Sequence, residues 1–273
     1  MTEARREGSR DASVCSCAPG GKVYLVGAGP GAPDLLTLRA TEILKQADIV
    51  FHDALVHPDT LEFAERAEKI AVGKRSGVYS TGQRFINKRL VDAARRYRVV
   101  VRLKGGDPTL FGRAQEEVDA LRGAGVNFEI VPGVTAAMAA AAELGVSLTR
   151  RGTARQVVFV TPRAADGERK NDWTASVLVA DTAVIYMGAG LAESISVELI
   201  ERGKAKDTPL VLVESATFPE RRALPGTLAE LPKLALKAGA GPAVVLLGEV
   251  FRDALGDRAL TPIGNVESFL KEA

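Results

Sequence analysis

Short apolar runs alternate with amphipathic stretches along most of this chain, starting near residue 22. A short apolar run between polar residues is typical of a buried strand, and apolar residues repeated every three or four positions are typical of a helix that packs on one face. In the first half, strands are predicted at residues 23–26, 48–51, 70–72, 99–103 and 128–131, and in the second half at 156–160, 183–186, 210–213 and 243–247.

Two of the predicted helices have recognisable start signals. Asp34 can cap a helix whose apolar residues run from Leu36 to Ala47. Pro58 suits the first turn of the next helix, because a proline there gives up no helical hydrogen bond. Further helices are predicted around residues 86–97, 118–121 and 191–199.

Strands that alternate with helices imply an α/β fold, and the chain contains two such units. The apolar pattern is interrupted at residues 149–152, so the expected limits are 22–148 for an N-terminal α/β domain and 149–255 for a C-terminal one. A disordered tail is expected at 1–21 and a C-terminal tail at 256–273. A single barrel of about 250 residues is the structural alternative, but the break favours two domains.

Composition and charge argue against two classes of protein, those that bind nucleic acid and those that span a membrane. The 273 residues include 36 Lys and Arg against 34 Asp and Glu, a balance unlike that of proteins that bind nucleic-acid backbones. No apolar stretch approaches the roughly 18 residues that a membrane span needs. We therefore expect neither nucleic acid nor a membrane as a partner, and we expect a cytoplasmic location.

Metal binding is not predicted either. The two cysteines, Cys15 and Cys17, lie in a polar N-terminal segment with one residue between them. They cannot supply the four ligands of a structural zinc site, and they are too few for a disulfide scaffold. The two histidines, His52 and His57, are distant from them in sequence.

The first candidate for chemistry is the turn at residues 27–32, Gly-Ala-Gly-Pro-Gly-Ala, which follows a predicted strand and precedes a helix. Its spacing satisfies a loosened dinucleotide fingerprint, with Asp53 after the next strand as a candidate ribose acid. Pro30 and Pro33 weaken this reading, because proline has no N–H to give to a pyrophosphate. A turn without a ligand and a site for a different nucleoside remain as alternatives, and the second is favoured.

The second candidate is residues 102–108, Arg-Leu-Lys-Gly-Gly-Asp-Pro, at the carboxyl end of a predicted strand. Open α/β sheets bind ligands at such strand ends. Gly105 and Gly106 leave the main chain uncovered, so a flat ring or a sugar can approach it. Asp107 can accept hydrogen bonds from a ribose or an amino group, or it can simply cap the local turn.

These motifs and several others occur together in a recognisable order. The additional ones are Val-Gly-Lys-Arg at 72–75, Phe-Gly-Arg at 111–113, Val-Pro-Gly-Val-Thr-Ala-Ala at 131–137 and Tyr-Met-Gly at 186–188. With them, the chain resembles the uroporphyrinogen-III C-methyltransferases of the tetrapyrrole methyltransferase group, from about residue 22 to residue 253. The resemblance implies two α/β domains with the active-site cleft between them, S-adenosylmethionine as the methyl donor, and a homodimer.

The resemblance also assigns roles to individual residues. Asp53 matches the family's proton acceptor, and Lys74 matches its proton donor. The donor site would be lined by Pro30, Gly105, Gly106, Asp107, Leu110, Thr135, Ala136, Met187 and Ala216.

The implied reaction is methylation of uroporphyrinogen III at two pyrrole carbons, C2 and C7, to give precorrin-2 at the branch point between sirohaem and cobalamin. Methyl transfer from a sulfonium is an in-line displacement that needs positioning more than a metal. The implied substrate carries eight carboxylates, and arginine suits carboxylates through its bidentate fork. The basic residues expected to bind them are Arg75, Lys104, Arg113, Arg150, Arg151 and Arg163.

The chain departs from the family pattern at three places. It has His52-Asp53-Ala54 where the family usually has Tyr-Asp-Arg, so a positive charge beside the proton acceptor is expected to be missing. Arg150 and Arg163 replace two family histidines. Arginine preserves carboxylate binding at those positions but cannot transfer protons, since it stays charged.

Three other functions remain open on the sequence. They are methylation of a later precorrin by the same fold, non-catalytic binding of a nucleoside or tetrapyrrole, and an NAD(P)-dependent oxidoreductase that uses the first glycine turn.

Overall fold

The structure, a computed structural model, describes residues 20–73, 82–164 and 172–255. Within these ranges the strands are β1 (Lys22–Gly27), β2 (Ile49–His52), β3 (Glu68–Ala71), β4 (Val99–Lys104), β5 (Asn127–Val131), β6 (Val157–Val160), β7 (Thr182–Tyr186), β8 (Pro209–Glu214), β9 (Arg222–Thr227) and β10 (Ala243–Gly248). All of the strands predicted from the sequence are present, with ends displaced by one or two residues. The two tails, with both cysteines, lie almost entirely outside the described residues.

The helices of the described part lie between and after these strands. They are α1 (Leu38–Gln46), α2 (Pro58–Glu62), α3 (Gln83–Ala94), α4 (Ala114–Gly123), α5 (Ala136–Glu143), α6 (Trp173–Val179), α7 (Ala192–Glu201) and α8 (Leu231–Lys237). Pro58 stands in the first turn of α2, as predicted. The predicted cap at Asp34 is wrong: α1 is capped by the side chain of Thr37, and Asp34 belongs to a short 3-10 turn that precedes it.

The first sheet is fully parallel, in the order β3-β2-β4-β1-β5. Helices α3 and α4 cover one face, and α1 covers the other. Alternate residues of a strand point to opposite faces, so apolar runs such as that of β4 fill two separate cores. Because the five strands are parallel, their carboxyl ends all lie at the same edge of the sheet.

The second sheet is mixed, in the order β6-β7-β10-β8-β9. Only β6 and β7 are parallel, and the remaining neighbours are antiparallel. The apolar pattern does not predict β9, because Pro225 and Gly226 fall within this strand. Proline cannot donate to a strand ladder and is tolerated at a sheet edge, which is where β9 lies.

Helix α5 connects the two halves through its packing. Although the expected limits place it in the first domain, its alanines pack with Val184, Val211 and Phe251 in a core of the second sheet. Small side chains let this helix approach the sheet closely. The domain limits themselves, and the placement of a cleft between domains, stay a prediction.

Candidate active site

A cavity of about 460 Å³ lies at the carboxyl ends of the first sheet. Its walls come from the loops after β1, β2, β4 and β5, and from the loops after β7 and β8 of the second sheet. Ligand cavities commonly occupy about 300–1,000 Å³, so the size suits a small molecule. This is the edge at which open parallel sheets bind ligands.

The cavity brings most of the predicted site residues together. Asp53, Lys104 and Arg113 line it, as do all nine residues predicted for the donor site. Arg150 lines a separate depression, and neither cavity includes Arg151 or Arg163. Lys74 and Arg75 lie outside the described residues.

The first glycine turn is held by main-chain bonds. Gly29 donates its N–H to the oxygen of Gly106 at 3.2 Å, and Gly106 donates back to Gly29 at 2.7 Å. The N–H of Ala32 donates to Thr217 Oγ1 at 2.9 Å. The following α-helix begins only at Leu38. Because these N–H groups are engaged and the helix start is remote, the turn lacks the features of a pyrophosphate cradle.

Close main-chain contact explains the glycines around the second motif. A Cβ at Gly133 would lie 2.4 Å from the oxygen of Gly106, and one at Gly27 would lie 2.7 Å from the same atom. Gly106 itself has a φ of +68°, in the left-handed region that favours glycine. These glycines let three loops meet beneath the cavity.

Asp107 caps the main chain with both carboxylate oxygens. Oδ1 accepts from the Thr109 N–H at 2.7 Å and from the Thr109 hydroxyl at 2.5 Å. Oδ2 accepts from the Gly133 N–H at 2.9 Å. This is the turn-capping role that the sequence left open, and it ties the loop after β4 to the loop after β5. A direct contact of Asp107 with the donor stays a prediction.

A cluster of four charged side chains lies against the cavity. Arg102 and Lys104 are two residues apart on β4, so both side chains point to the face that α4 covers. There Glu117, with a fully buried side chain, accepts from Arg102 Nε and from Lys104 Nζ, each at 3.0 Å. Arg102 Nη2 donates to Asp53 Oδ1 at 2.5 Å.

This cluster corrects one expectation. The positive charge expected to be missing beside Asp53 is supplied by Arg102, from a different strand. The sequence analysis included Arg102 in its second candidate motif but assigned it no role, and it did not select Glu117. Charged residues at alternate positions of a buried strand are an unusual pattern that could have indicated a role for Arg102.

The cluster alters the proton affinity of its cations. Burial alone would lower the pKa of Arg102, but the charges of Asp53 and Glu117 hold it above its ordinary value. Burial, together with the charge of Arg102, lowers the pKa of Lys104. Arg102 is therefore the permanent cation of the cluster.

Tyr186 joins the second sheet to the loop after β5. Its hydroxyl oxygen lies 2.6 Å from Thr135 Oγ1 and accepts from the Ala137 N–H at 3.1 Å. The first N–H groups of a helix have no partner within the helix, so this hydroxyl satisfies one of them in α5. Burial raises the pKa of Tyr186, which keeps its hydroxyl protonated. Sequence reasoning placed Tyr186 at a strand end but not in the site.

The cationic residues that line the cavity have carboxylate partners. Besides the cluster, Arg113 forms a two-pronged pair with Glu116 at 2.7 and 2.9 Å. In the depression that Arg150 lines, its guanidinium lies 3.4 Å from Asp253. The described residues thus bring two of the six predicted substrate-binding cations to the cavity.

Backbone strain is concentrated at the cavity walls. Phe111 and Met187, both cavity residues, have φ angles of +53° and +56°. Such angles cost a residue other than glycine about 1–2 kcal/mol. Strain of this kind clusters at functional sites, because surrounding structure holds it in place.

The chain matches one known family over most of its length. The family model for tetrapyrrole (corrin/porphyrin) methylases matches residues 22–232. The chain belongs to this family. The family that the resemblance implied is thereby confirmed.

Two solved structures are similar to this chain in both sequence and fold. A uroporphyrin-III C-methyl transferase from Thermus thermophilus, complexed with S-adenyl homocysteine, is 40% identical, has a TM-score of 0.75, and is matched over 85% of this chain and 100% of its own. A cobalt precorrin-4 methyltransferase is 30% identical with a TM-score of 0.74, over 84% of this chain and 95% of its own. The predicted α/β fold of the tetrapyrrole methyltransferase type is confirmed.

A siroheme synthase from Chromobacterium violaceum is 45% identical over 249 residues, 90% of this chain and 53% of the relative. The chain thus spans about half the length of the curated relatives it matches.

Within the described ranges, no group of three or more His, Cys, Asp or Glu side chains could hold a metal ion. In the same residues, no helix has the length and apolar character to cross a membrane. The homodimer and the cytoplasmic location stay predictions.

Proposed function

We propose that this chain transfers methyl groups from S-adenosylmethionine to C2 and C7 of uroporphyrinogen III, giving precorrin-2 and S-adenosylhomocysteine. The observation that carries the proposal is the gathering of all nine predicted donor-site residues on one cavity. The 40% identity to the Thermus transferase, over the whole of that chain, supports the choice of both the donor and the acceptor.

Open apolar surface on the cavity walls supports the binding of an adenosyl group and a methionine chain. Leu55, Phe111 and Met187 keep 52, 38 and 43% of their surface exposed, and all three line the cavity. Apolar surface left open on a concave wall is typical of a binding site. Gly105 and Gly106 add uncovered main chain between these side chains.

When bound, the donor supplies a methyl group on a positively charged sulfur, which makes that methyl electrophilic. The loops after β4, β5 and β7 hold the two reactants in line and exclude water from them, which is the main source of rate in such a displacement. As the carbon–carbon bond forms, the carbon–sulfur bond breaks and its electron pair stays on sulfur. The cationic pyrrole ring then loses a proton.

Asp53 is the residue of the cavity suited to that last step. Its side chain is 28% exposed and reaches the cavity, while Oδ1 is held by Arg102. The carboxylate either accepts the proton or stabilises the positive ring as it forms. Lys74 as proton donor, and Arg75, Arg113 and Lys104 as carboxylate ligands, complete the proposed machinery, with Arg150, Arg151 and Arg163 as more distant candidates.

The test is methyl transfer to uroporphyrinogen III under reducing conditions, followed by the mass of the tetrapyrrole. We expect a gain of two methyl groups. Asp53→Asn should lower the turnover by about a hundredfold or more, the usual contribution of a positioned acid or base. The affinity for S-adenosylhomocysteine should stay nearly the same, since Asp53 acts on the other reactant.

Asp59→Asn is the matched control, because Asp59 lies near Asp53 in sequence but is 62% exposed and does not line the cavity. Its turnover should equal that of the wild type. Methyl transfer to a later precorrin but not to uroporphyrinogen III would instead favour the activity of the cobalt precorrin-4 enzyme. Tight donor binding without any transfer would leave a non-catalytic binding protein.

A further inference from the structure

Four hydrogen bonds to this chain hold the guanidinium of Arg102, which lies at the cavity wall. Of its five N–H donors, one goes from Nε to Glu117 at 3.0 Å, and Nη1 donates to the main-chain oxygens of Leu103 at 3.0 Å and Phe51 at 3.4 Å. Only 3% of the side chain is exposed. Its position is therefore fixed before any ligand enters.

The remaining side of this guanidinium faces Asp53. Nη2 donates to Asp53 Oδ1 at 2.5 Å, and Asp53 is the member of the cluster with the most exposed side chain. The fixed cation thus sets where this carboxylate lies on the cavity wall. A charge-assisted hydrogen bond of this kind is about twice as strong as a neutral one.

The rest of the cluster stabilises the arrangement. Glu117 is fully buried and accepts from Lys104 Nζ with both oxygens, and from Gln83 Nε2 at 3.2 Å. Two basic and two acidic side chains thus contact one another beside the cavity.

We propose that Arg102 is a positioning residue for methyl transfer, one that acts through Asp53 by holding its carboxylate at the cavity wall, with Glu117 as its anchor. The inference rests on the proposed function. A displacement of a reacting group by about 1 Å can cost a hundredfold in rate. We therefore expect Arg102→Gln to lower kcat by about a hundredfold, while the Kd of S-adenosylhomocysteine changes by less than about twofold.

A double-mutant cycle separates this role from a merely structural one. The kcat of methyl transfer to uroporphyrinogen III is measured for wild type, Asp53→Asn, Arg102→Gln and the double variant. If Arg102 acts through Asp53, the double variant should be slower than Asp53→Asn by no more than about twofold. Arg202→Gln serves as the control, because Arg202 pairs with Asp172 outside the cavity, and its kcat should match the wild type.

Arg102→Lys keeps one positive charge but cannot bridge Asp53 and Glu117 through a fork. It should recover part of the lost kcat, and it takes the place of Arg102→Gln in the cycle if the latter does not fold. If the losses multiply in the double variant, or if Arg102→Gln keeps the wild-type kcat, the inference alone is overturned. A wild-type kcat in Asp53→Asn would overturn both the inference and the role proposed for Asp53. Absence of methyl transfer by the wild type would overturn the proposed function, and the inference with it.

Discussion

The hydroxyl of Tyr186 offers a sharp test of how the second sheet is fastened to the donor site. Tyr186→Phe removes one atom without adding volume. It leaves the buried Ala137 N–H and the Thr135 hydroxyl without the partner that they share in this structure. A buried donor left unsatisfied costs about 1–3 kcal/mol. We therefore expect a loss of about 2 kcal/mol in the free energy of unfolding.

That loss should be visible in thermal unfolding. For a chain of this size, about 2 kcal/mol corresponds to a fall in Tm of about 4–8 °C. Since Thr135 and Tyr186 both line the cavity, calorimetric titration should also show weaker binding of S-adenosylhomocysteine. Tyr97→Phe is the matched control, because it removes only an exposed hydrogen bond to Glu68. Equal Tm values for the two variants would show that the Tyr186 hydroxyl does not stabilise the fold through Ala137 and Thr135.

Three further predictions concern the same loops. Gly133→Ala should destabilise the protein by about 1–3 kcal/mol, because the added Cβ meets the Gly106 oxygen, whereas Gly123→Ala, which meets nothing within 4 Å, should have no such cost in urea unfolding. Asp107→Asn offers one acceptor oxygen instead of two, so it should weaken S-adenosylhomocysteine binding by about tenfold in calorimetry, and an unchanged Kd would remove this loop from the donor site. Burial raises the pKa of Glu143 although the Thr217 N–H and Arg221 oppose it, so the folded chain holds this proton where the unfolded chain has lost it. The Tm of the wild type relative to that of Glu143→Gln should accordingly rise as the pH falls towards the ordinary pKa of a glutamate, and a difference that does not change with pH would contradict the assignment.

The sequence pattern predicts the strands well because each buried strand is a local apolar run. It fails at β9, where Pro225 and Gly226 are tolerated only because the strand lies at a sheet edge. It also misplaces the cap of α1, since Thr37 and Asp34 are equally suitable as cap residues and the preceding 3-10 turn decides between them.

The candidate site also contains features that the sequence predicts and features that it does not. Most of the donor-site residues follow strand ends, and parallel strands bring such ends together. Residues identified by resemblance at these ends therefore line one cavity. The contacts of Arg102 with Asp53 and of Tyr186 with Thr135 join residues about fifty positions apart. Nothing local in the chain encodes these pairs, because they depend on how strands and helices are stacked. The positive charge expected to be missing beside Asp53 is present for this reason.

The proposed methylation is tested most directly with S-adenosylmethionine that carries deuterium in its methyl group. The measurement is the number of labelled methyl groups transferred to uroporphyrinogen III. The tetrapyrrole product of the wild-type chain should carry two labelled methyl groups by mass spectrometry, and Asp53→Asn should form it far more slowly. If the tetrapyrrole gains no label while the wild-type chain is folded and binds S-adenosylhomocysteine in calorimetry, the chain does not methylate uroporphyrinogen III.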